Sequence, residues 1–416
     1  MTYSGTSERI LAQAVQALEA IAAQSTGLDD WLDRKAPGEL RRALASLLFT
    51  FFRRKRAVDA ALTPCWSKPP RPEIFFLLEL ALTLAAFQTA LRPESAVNIA
   101  VAAAKHRFGA GAGKFVNAVL RRALTLVNPE PPAMELLPEP VARRWVRQCG
   151  AAVAARRAEL FQRQAPTVAR WRRNFAEEIP PDAERLVLPW PSHWQFTRVA
   201  RPEKATESVL FRKGAFYFQD PAPAAIVMLL ENAALPRAVR GADLCAAPGG
   251  KLILAEEFLS MKGISAKWVA LDRSETRQNL TRENLARCGV AADVTVGDAT
   301  NWRPEDGGTF DLVLADVPCT NSGVFRRRPD VLWRWRDAAL RAMTAIQKEI
   351  LEHGAELCAP GGYLLYSTCS LEKEENEALT AAFLAGHPEF ALTCERSLEP
   401  DETHDGTYGA LLKRKG

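Results

Sequence analysis

Two cysteines in the C-terminal half of the chain stand where predicted strands end. Cys319 ends the sequence DVPC, and Cys369 lies shortly after the apolar residues 362–365. A single cysteine is usually an inert core residue. Parallel strands, however, bring their carboxyl ends to one edge of a sheet, and ligands bind at that edge. Two thiols there indicate covalent chemistry with a thiolate as the nucleophile.

Aspartates end four successive predicted strands in the same half of the chain. They are Asp243 at the end of the first strand, Asp272 after residues 267–271, Asp298 after residues 294–296, and Asp316 after residues 310–315. Any one of them can be interpreted as a helix cap. Four carboxylates at the carboxyl edge of a parallel sheet instead indicate a ligand site.

A glycine turn, CAAPGGK at residues 245–251, follows the first strand and precedes a predicted helix at residues 252–261. Glycines let backbone N–H groups approach a ligand at a helix N-terminus, although many such sequences are merely tight turns. The pattern is neither G-x-G-x-x-G nor a P-loop, because Lys251 is followed by Leu252 rather than Ser or Thr. An acid-lined site suits a sulfonium cation better than a pyrophosphate. We therefore predict S-adenosylmethionine as the cofactor, and no metal ion.

The predicted cofactor-binding residues are those of the turn and four charged side chains on the segments that follow it. Asp272 lies about 20 residues past the glycines, where an acidic group typically accepts hydrogen bonds from ribose hydroxyls. The full set is Cys245, Ala246, Ala247, Pro248, Gly249, Gly250, Lys251, Asp272, Arg277, Asp298 and Asp316.

The two cysteines restrict the reaction. Enzymes that methylate an exocyclic amine need no covalent help and carry an Asp/Asn-Pro-Pro-aromatic turn, where this chain has DVPC. Carbon 5 of a pyrimidine becomes a good nucleophile only after a thiolate adds to carbon 6. A free thiol of pKa about 8.5 is only a few per cent ionised at neutral pH, so the site must favour the anion or remove its proton. Asp316 is the nearest candidate acid for the ring nitrogen, either with a raised pKa or through a hydrogen bond that holds the N3–H form.

The elements that carry these residues follow from the hydrophobic pattern. Residues 7–126 are predicted to be helical, with Ser7 as a candidate cap and Pro or Gly at most of the breaks. A proline-rich junction and a mixed segment follow. From Gly214 onward, short apolar strands alternate with helices, which predicts a parallel sheet covered on both faces. We expect an α/β protein with an all-α bundle at residues 1–130, a small α+β linker domain at 131–213 and a Rossmann-like methyltransferase domain at 214–416.

Positive charge is modest overall but clustered. The formal net charge of +5 at pH 7 does not by itself indicate a nucleic-acid partner. Basic residues form three clusters in the helical region, at residues 41–42, 53–56 and 121–122. A solvated helix face explains any one such cluster, whereas three in one bundle favour contacts with RNA phosphates.

The remaining composition constrains the cellular setting. The eight cysteines form no C-x-x-C pair and the five histidines do not cluster beside them, so reduced thiols without zinc are expected. The N-terminus does not have the pattern of a secretory signal. Residues 74–87 are the most lipid-like stretch, but they are shorter than the roughly 20 residues of a membrane span and include Glu79. We predict a cytoplasmic monomer with no membrane partner.

Several motifs resemble the Fmu/Sun (RsmB-like) family of RNA cytosine-C5 methyltransferases, most closely its bacterial 16S rRNA members with a NusB-like N-terminal domain. The motifs are FQDPA at 218–222, DLCAAPGGK at 243–251, DVPCTNSGVFRRRPD at 316–330, STCSLEKEEN at 367–376 and, for the NusB-like part, KFVNAVLRR at 114–122. The resemblance covers nearly the whole chain.

This resemblance implies roles for individual residues. Cys369 would be the nucleophile and Cys319 would assist release of the methylated base, whereas DNA cytosine methyltransferases use the cysteine of the Pro-Cys turn. Asp298 would bind the adenine side of the cofactor. Asp316 would bind its methionine end or the target base, and Lys251 would lie beside the active site.

The sequence departs from the family pattern at Val317, Thr320 and Leu252, which are conservative in size and bear on rate or substrate fit more than on activity. The charge of residues 326–328, all arginine, suits an RNA backbone, unless these side chains only decorate a loop. Two alternatives stay open: the same chemistry on tRNA or another rRNA position, and a non-catalytic NusB-like RNA-binding protein. The second should have lost a strand-end aspartate or a cysteine, and none is missing.

Overall fold

The structure, a computed structural model, describes residues 3–23, 26–89 and 91–416. It divides into two compact units. The first, the helical unit, comprises Met1–Gln164 and Phe325–Trp335; the second, the sheet unit, comprises Ala165–Val324 and Arg336–Gly416. The loop that follows Cys319 therefore leaves the sheet unit, contributes a segment to the helical unit and returns. The predicted division into three domains stays a prediction.

Helices make up most of the helical unit and flank the strands of the sheet unit. Their bounds are α1 Tyr3–Ala22, α2 Leu28–Arg34, α3 Arg41–Leu62, α4 Pro72–Phe87, α5 Pro93–Phe108, α6 Ala110–Leu126, α7 Glu139–Gln162, α8 Pro202–Thr206, α9 Val209–Arg212, α10 Ala222–Val227, α11 Gly250–Met261, α12 Glu275–Cys288, α13 Pro329–Arg334, α14 Asp337–Leu357 and α15 Glu377–Gly386. Proline begins α4 and α5, where its fixed φ suits the first turn and its missing N–H costs nothing.

The strands form two sheets. Their bounds are β1 Val168–Trp171, β2 Gln195–Arg198, β3 Phe216–Phe218, β4 Ala238–Asp243, β5 Ser265–Asp272, β6 Ala292–Val296, β7 Phe310–Asp316, β8 Cys358–Thr368, β9 Phe390–Leu398 and β10 Thr407–Arg414. The first three form a small antiparallel sheet in the order β2-β1-β3.

Helix α4 is the centre of the helical unit. It packs against α1, α3, α5 and α6, and its side chains are buried nearly all round. A helix that is apolar on every face belongs inside a core, so the prediction of a buried helix at residues 74–87 is confirmed. The predicted cap was wrong: Ser7 lies inside α1, which already begins at Tyr3. None of the described helices combines the length and apolar character that a membrane crossing requires.

The segment Phe325–Trp335 is integrated into the helical unit. The Trp333 indole donates to the carbonyl oxygen of Phe52 at 2.7 Å, and the Asp330 carboxylate accepts a hydrogen bond from the backbone N–H of Leu28 at 3.2 Å. Arg326 is 2% exposed. The expectation that all three arginines at 326–328 suit an RNA backbone is therefore wrong for Arg326, because burial removes its side chain from solvent.

The basic cluster at residues 53–56 is also engaged within the helical unit. Arg53 donates to the carbonyl oxygen of Arg326 at 2.7 Å, and burial lowers the pKa of Arg53 to about 10. Lys55 contacts Asp59 at 3.0 Å, and Arg56 donates to a backbone carbonyl. These groups are half-buried, so the structure does not present this cluster as the open phosphate-binding surface that its sequence indicated.

Seven described strands of the sheet unit form one mixed sheet in the order β6-β5-β4-β7-β8-β10-β9. Strands β4 to β8 are parallel, and β10 inserts antiparallel between β8 and β9. Helices α10, α11 and α12 cover one face and α14 and α15 the other, so the central strands are continuously apolar. The predicted α/β class is confirmed. The strand order reverses between β4 and β7, which opens a crevice at their carboxyl ends.

Candidate active site

The glycine turn lies between β4 and α11, as predicted. Gly249 has φ +100°, a conformation that side chains rarely adopt. A Cβ on Gly250 would lie 2.8 Å from the Gln219 side-chain nitrogen, so a side chain there would require Gln219 to move. The backbone conformation therefore requires glycine at position 249, and the space around position 250 favours it.

A cavity of about 230 Å³ opens at this turn. It is lined by Tyr217, Phe218, Gln219, Asp243, Cys245, Ala246, Ala247, Pro248, Gly250, Lys251 and Asp316. Tyr217, Phe218 and Gln219 were not predicted as site residues, and Asp243 was predicted only as one of the strand-end carboxylates. Phe218 and Gln219 begin the FQDPA motif and Asp243 begins DLCAAPGGK, so the signal was present in the quoted motifs.

Asp272 and Arg277 brace the turn from the neighbouring strand and helix. The buried Asp272 carboxylate accepts hydrogen bonds from the backbone N–H groups of Ala247 at 3.3 Å and Ser274 at 3.0 Å. Arg277 lies 3.4 Å from Asp272 and donates to the carbonyl oxygen of Ala247. Both predicted residues therefore contact the turn, although neither is part of the cavity lining.

Asp298 is exposed and turns the chain after β6. Its carboxylate accepts hydrogen bonds from the Thr300 backbone N–H at 2.9 Å and the Thr300 hydroxyl at 2.8 Å, and these bonds lower its pKa. The cavity lining does not include Asp298, so the structure does not bring it together with the other predicted residues.

Asp243 is a buried carboxyl group at the end of β4. It is 1% exposed and accepts a hydrogen bond from the backbone N–H of Cys245 at 3.2 Å. Burial, together with repulsion from Asp316, raises the pKa of Asp243 to about 7. Its charge can therefore change near neutral pH.

Lys251 and Asp316 form an ion pair at the end of β7, with the nitrogen 2.6 Å from the carboxylate oxygen. The Ser367 hydroxyl donates to the other Asp316 oxygen at 3.0 Å. Burial opposes the charged form of Lys251, but attraction to Asp316 outweighs it, and a smaller contribution from Cys369 acts in the same direction, so the pKa of Lys251 is raised. A fixed positive charge thus lies near the Cys369 sulfur.

The two cysteine sulfurs meet at this edge. The Sγ atoms of Cys319 and Cys369 are 3.1 Å apart. They meet because β7 and β8 are adjacent and parallel, with Asp316 paired to Ser367, so that the loops after both strands start at the same level. Asn321 lies beside them: its amide donates to the carbonyl oxygen of Cys319 at 2.8 Å, and its oxygen is 3.3 Å from the Cys369 sulfur.

The two thiols differ in environment. Cys319 is 6% exposed, whereas Cys369 is half-buried. The hydrogen bond with Cys369, together with burial, raises the pKa of the Cys319 thiol well above its ordinary value. These effects favour the protonated form of Cys319, whose thiol can then donate to the more accessible sulfur of Cys369.

The acidic and thiol groups of the described residues form no cluster suited to a metal ion. All eight cysteines are free thiols.

Comparison with known proteins identifies both parts of the chain. Residues 238–411 match the family described as 16S rRNA methyltransferase RsmB/F. This chain carries an RsmB/F methyltransferase domain. Residues 8–125 match the NusB family, so the N-terminal helices form a NusB-family domain. The resemblance inferred from the motifs is confirmed.

Curated relatives match more than half of this chain's length. It is 28% identical over 382 residues to ribosomal RNA small subunit methyltransferase B of Shewanella oneidensis, covering 88% of this chain and 87% of that one. The enzyme of the same name from Klebsiella pneumoniae is 34% identical over 256 residues, covering 58% of this chain and 54% of that one. The crystal structure of PH0851 has the same fold, with a TM-score of 0.78, 22% identity and full coverage of both chains.

Proposed function

We propose that this RsmB/F protein uses S-adenosylmethionine to methylate carbon 5 of a cytosine in small-subunit ribosomal RNA, with Cys369 as the nucleophile. The observation that carries the proposal is the 3.1 Å spacing of the Cys319 and Cys369 sulfurs beside the Lys251–Asp316 pair. Methylation of an exocyclic amine would not need two thiols at this position.

The cavity fits S-adenosylmethionine by the chemistry of its donors. Asp243 and Asp316 line it, and Lys251, the basic group of the lining, is already paired with Asp316. Such a site favours a cation over a pyrophosphate. The turn residues 245–250 would hold the cofactor, with Asp272 at the ribose, Asp298 toward the adenine and Asp316 at the methionine end. When bound, the cofactor supplies an electrophilic methyl group.

Cys369 must attack as a thiolate, and two neighbours supply a positive charge and a hydrogen-bond donor beside its sulfur. Lys251 places positive charge near the sulfur, and the Cys319 thiol can donate a hydrogen bond to it. The Asn321 oxygen, 3.3 Å from the Cys369 sulfur, instead accepts a hydrogen bond from the protonated thiol and orients it before it loses its proton. The loop geometry therefore prepares one sulfur for attack and keeps the other protonated.

The covalent step begins when the Cys369 thiolate donates an electron pair to carbon 6 of the cytosine. A carbon–sulfur bond forms, and the displaced π electrons make carbon 5 nucleophilic. Asp316 accepts hydrogen bonds from Lys251 and Ser367. N3 gains a proton as carbon 6 is attacked; the Lys251 ammonium supplies this proton through Asp316, whose carboxylate then accepts a hydrogen bond from N3–H.

Release reverses the addition. The carbon 5 proton passes to the Cys319 sulfur, which gives its own proton to the departing Cys369 sulfur; the C5–H electron pair returns to the ring, the C5–C6 double bond re-forms and the carbon–sulfur bond breaks. We assign Cys319 to this step because its sulfur lies 3.1 Å from the Cys369 sulfur.

The RNA class rests on the relatives and on the NusB-family domain. Both curated relatives described above are named for the small ribosomal subunit. Exposed arginines at Arg41, Arg121 and Arg122 supply charge for phosphate contacts. The expected cytoplasmic location and monomeric state stay predictions.

Transfer of a labelled methyl group from S-adenosylmethionine to unmodified small-subunit rRNA tests the proposal, and bisulfite mapping of RNA from a deletion strain locates the base. We expect one cytosine to become unprotected in the deletion strain. If the small-subunit pattern were unchanged and a tRNA or large-subunit signal were lost, the substrate would be that RNA instead. No incorporation into any RNA would favour a non-catalytic RNA-binding protein.

A further inference from the structure

Glu375 is a buried carboxylate shared by the two cysteine loops. It is 0% exposed. One oxygen accepts the backbone N–H of Thr320 at 2.8 Å, and the other accepts the hydroxyls of Thr320 and Ser370. Thr320 directly follows Cys319, and Ser370 directly follows Cys369. A single side chain therefore holds the residue next to each reactive sulfur.

Gln347 on helix α14 adds further hydrogen bonds to this arrangement. Its buried side-chain nitrogen donates to Glu375 at 2.9 Å and to the carbonyl oxygen of Pro318 at 2.8 Å. Pro318 precedes Cys319, so the loop is held on both sides of that cysteine. The contacts join a long helix and two loops, which restricts movement of either sulfur relative to the other.

Asn376 holds the second loop in the same way. Its amide nitrogen donates to the carbonyl oxygen of Ser370 at 2.9 Å, and its oxygen accepts the Thr368 hydroxyl at 2.6 Å. Cys369 lies between these two residues. The two loops also bond to each other directly, for example from the Gly323 backbone N–H to the Cys369 carbonyl oxygen at 3.0 Å. Asn376 thus contacts one loop, whereas Glu375 contacts both.

The donors facing Glu375 are neutral: a backbone N–H, two hydroxyls and an amide. Burial raises the pKa of Glu375, while the hydrogen bonds from Ser370, Thr320 and Gln347 act against that rise. Burying a carboxyl group among neutral donors costs desolvation free energy, which an apolar side chain of similar size would not lose. Its geometry therefore points to a positional requirement rather than to packing.

We propose that Glu375 is a positioning residue that sets the spacing of the Cys319 and Cys369 sulfurs by holding Thr320 and Ser370. This inference rests on the proposed two-thiol reaction. Glu375 acts through the loops and contacts neither sulfur, so its effect should appear in the reaction step and in the distance between the thiols, with cofactor binding unchanged.

The variant Glu375→Gln tests this with little change in volume. Its carbonyl can still accept from Thr320 N–H and Gln347, but its NH₂ group faces the two hydroxyls, which must turn or move. We expect the single-turnover methylation rate to fall by about 100-fold, the scale on which small misplacement of reacting groups acts. Affinity for S-adenosylmethionine should stay within about twofold of the wild type.

Disulfide formation gives a readout that does not need RNA. Diamide takes two protons and two electrons from a pair of thiols, both S–H bonds break, and a Cys319–Cys369 bond forms. Peptide mass spectrometry follows this bond among the eight cysteines. We expect it to form at least about tenfold more slowly in the Glu375→Gln full-length chain, because the bond requires close, oriented sulfurs.

Glu374→Gln is the matched control, because Glu374 is the adjacent, exposed glutamate. It should behave as the wild type in both assays.

Thr320→Val removes one hydroxyl donor without changing the shape of the side chain, and it should slow both reactions by less than Glu375→Gln does. It serves as the test if the Glu375→Gln chain does not fold. A wild-type rate of disulfide formation in a folded Glu375→Gln or Thr320→Val chain would overturn the inference. If the wild type methylates no RNA but the variant still slows disulfide formation, the proposed function fails while the positioning role stands.

Discussion

The helical unit and the sheet unit each bury a glutamate, and they hold it in different ways. Glu79 on α4 is 0% exposed and contacts Lys55 on α3, which also contacts Asp59 at 3.0 Å. Glu375 is equally buried but is held by neutral donors from two loops and α14. Burial of the carboxyl group is the same in both regions, whereas the partners are not.

The partners decide what each glutamate does. Burial raises the pKa of Glu79 to about 8, and the charge of the neighbouring Lys55 acts against that rise. That cluster joins two helices and contains no group of the reaction. The partners of Glu375 are the neighbours of the two thiols. A buried acid is therefore a sign of function only when its contacts lead to reactive groups.

The largest effect should come from Cys369→Ala. We expect loss of methyl transfer by at least about 10⁴-fold, because removal of a nucleophile abolishes the covalent path. Cys394→Ala, which alters a half-buried thiol on β9, should keep the wild-type rate. Labelled methyl transfer to rRNA measures both. Retained turnover in the Cys369 variant would show that Cys369 is not the nucleophile, and the contacts of Glu375 would then not lead to a reactive group.

Cys319→Ala should have the next largest effect and a different signature. Addition through Cys369 remains possible, but release slows by about 10²–10³-fold, the range of a lost proton-transfer group. A covalent protein–RNA adduct should then accumulate on denaturing gels with labelled RNA. If the adduct appeared in the Cys369 variant instead, the roles of the two sulfurs would be reversed.

Asp243 should make cofactor binding depend on pH. Its pKa of about 7 means that it gains its negative charge as the pH rises through neutrality, and that charge attracts the cationic cofactor. Affinity for S-adenosylmethionine should rise by about tenfold between about pH 6 and about pH 8. Asp243→Asn should bind more weakly at the higher pH and lose this component. Equal pH dependence in both proteins, measured by calorimetry, would assign the effect to another group.

Glu79→Gln should leave methyl transfer unchanged and thereby sharpen the contrast with Glu375→Gln. The folded pKa of about 8 lies above the ordinary value of 4.5, so the unfolded chain releases this proton first. The Glu79 contribution to stability is complete below about pH 4.5 and is lost as the pH rises toward about 8.

Glutamine cannot ionise, so the variant should gain thermal stability relative to the wild type between about pH 5 and about pH 8. Thermal unfolding at the two pH values measures this. A constant difference in midpoint between the two proteins would show that Glu79 keeps its charge in the folded helical unit.

The local pattern of apolar residues and glycines was sufficient to predict the strands and the helix around the cofactor turn. The strands β4, β5 and β7 end at the predicted residues Asp243, Asp272 and Asp316. The predicted helix after the turn corresponds to α11. These features depend on alternation of apolar strands with helices and on glycine in a turn, which are properties of neighbouring residues.

Features that depend on distant residues were not predictable in this way. Nothing in the pattern of residues 53–56 distinguished a solvated basic face from one engaged within its unit. The transfer of Phe325–Trp335 into the helical unit and the burial of Arg326 were missed for the same reason. Each depends on packing against residues far away in the chain.

The sequence by itself determined which chemical groups are present: two thiols, a row of carboxylates and a glycine turn for a cofactor. Only the tertiary structure decided their relations, namely that the sulfurs of Cys319 and Cys369 lie 3.1 Å apart and that Glu375 holds both loops. The physical reason is the pairing of β7 with β8, which aligns two loops that are distant in sequence. Residue type is local information, whereas strand register and shared hydrogen bonds are set by the packing of the whole unit.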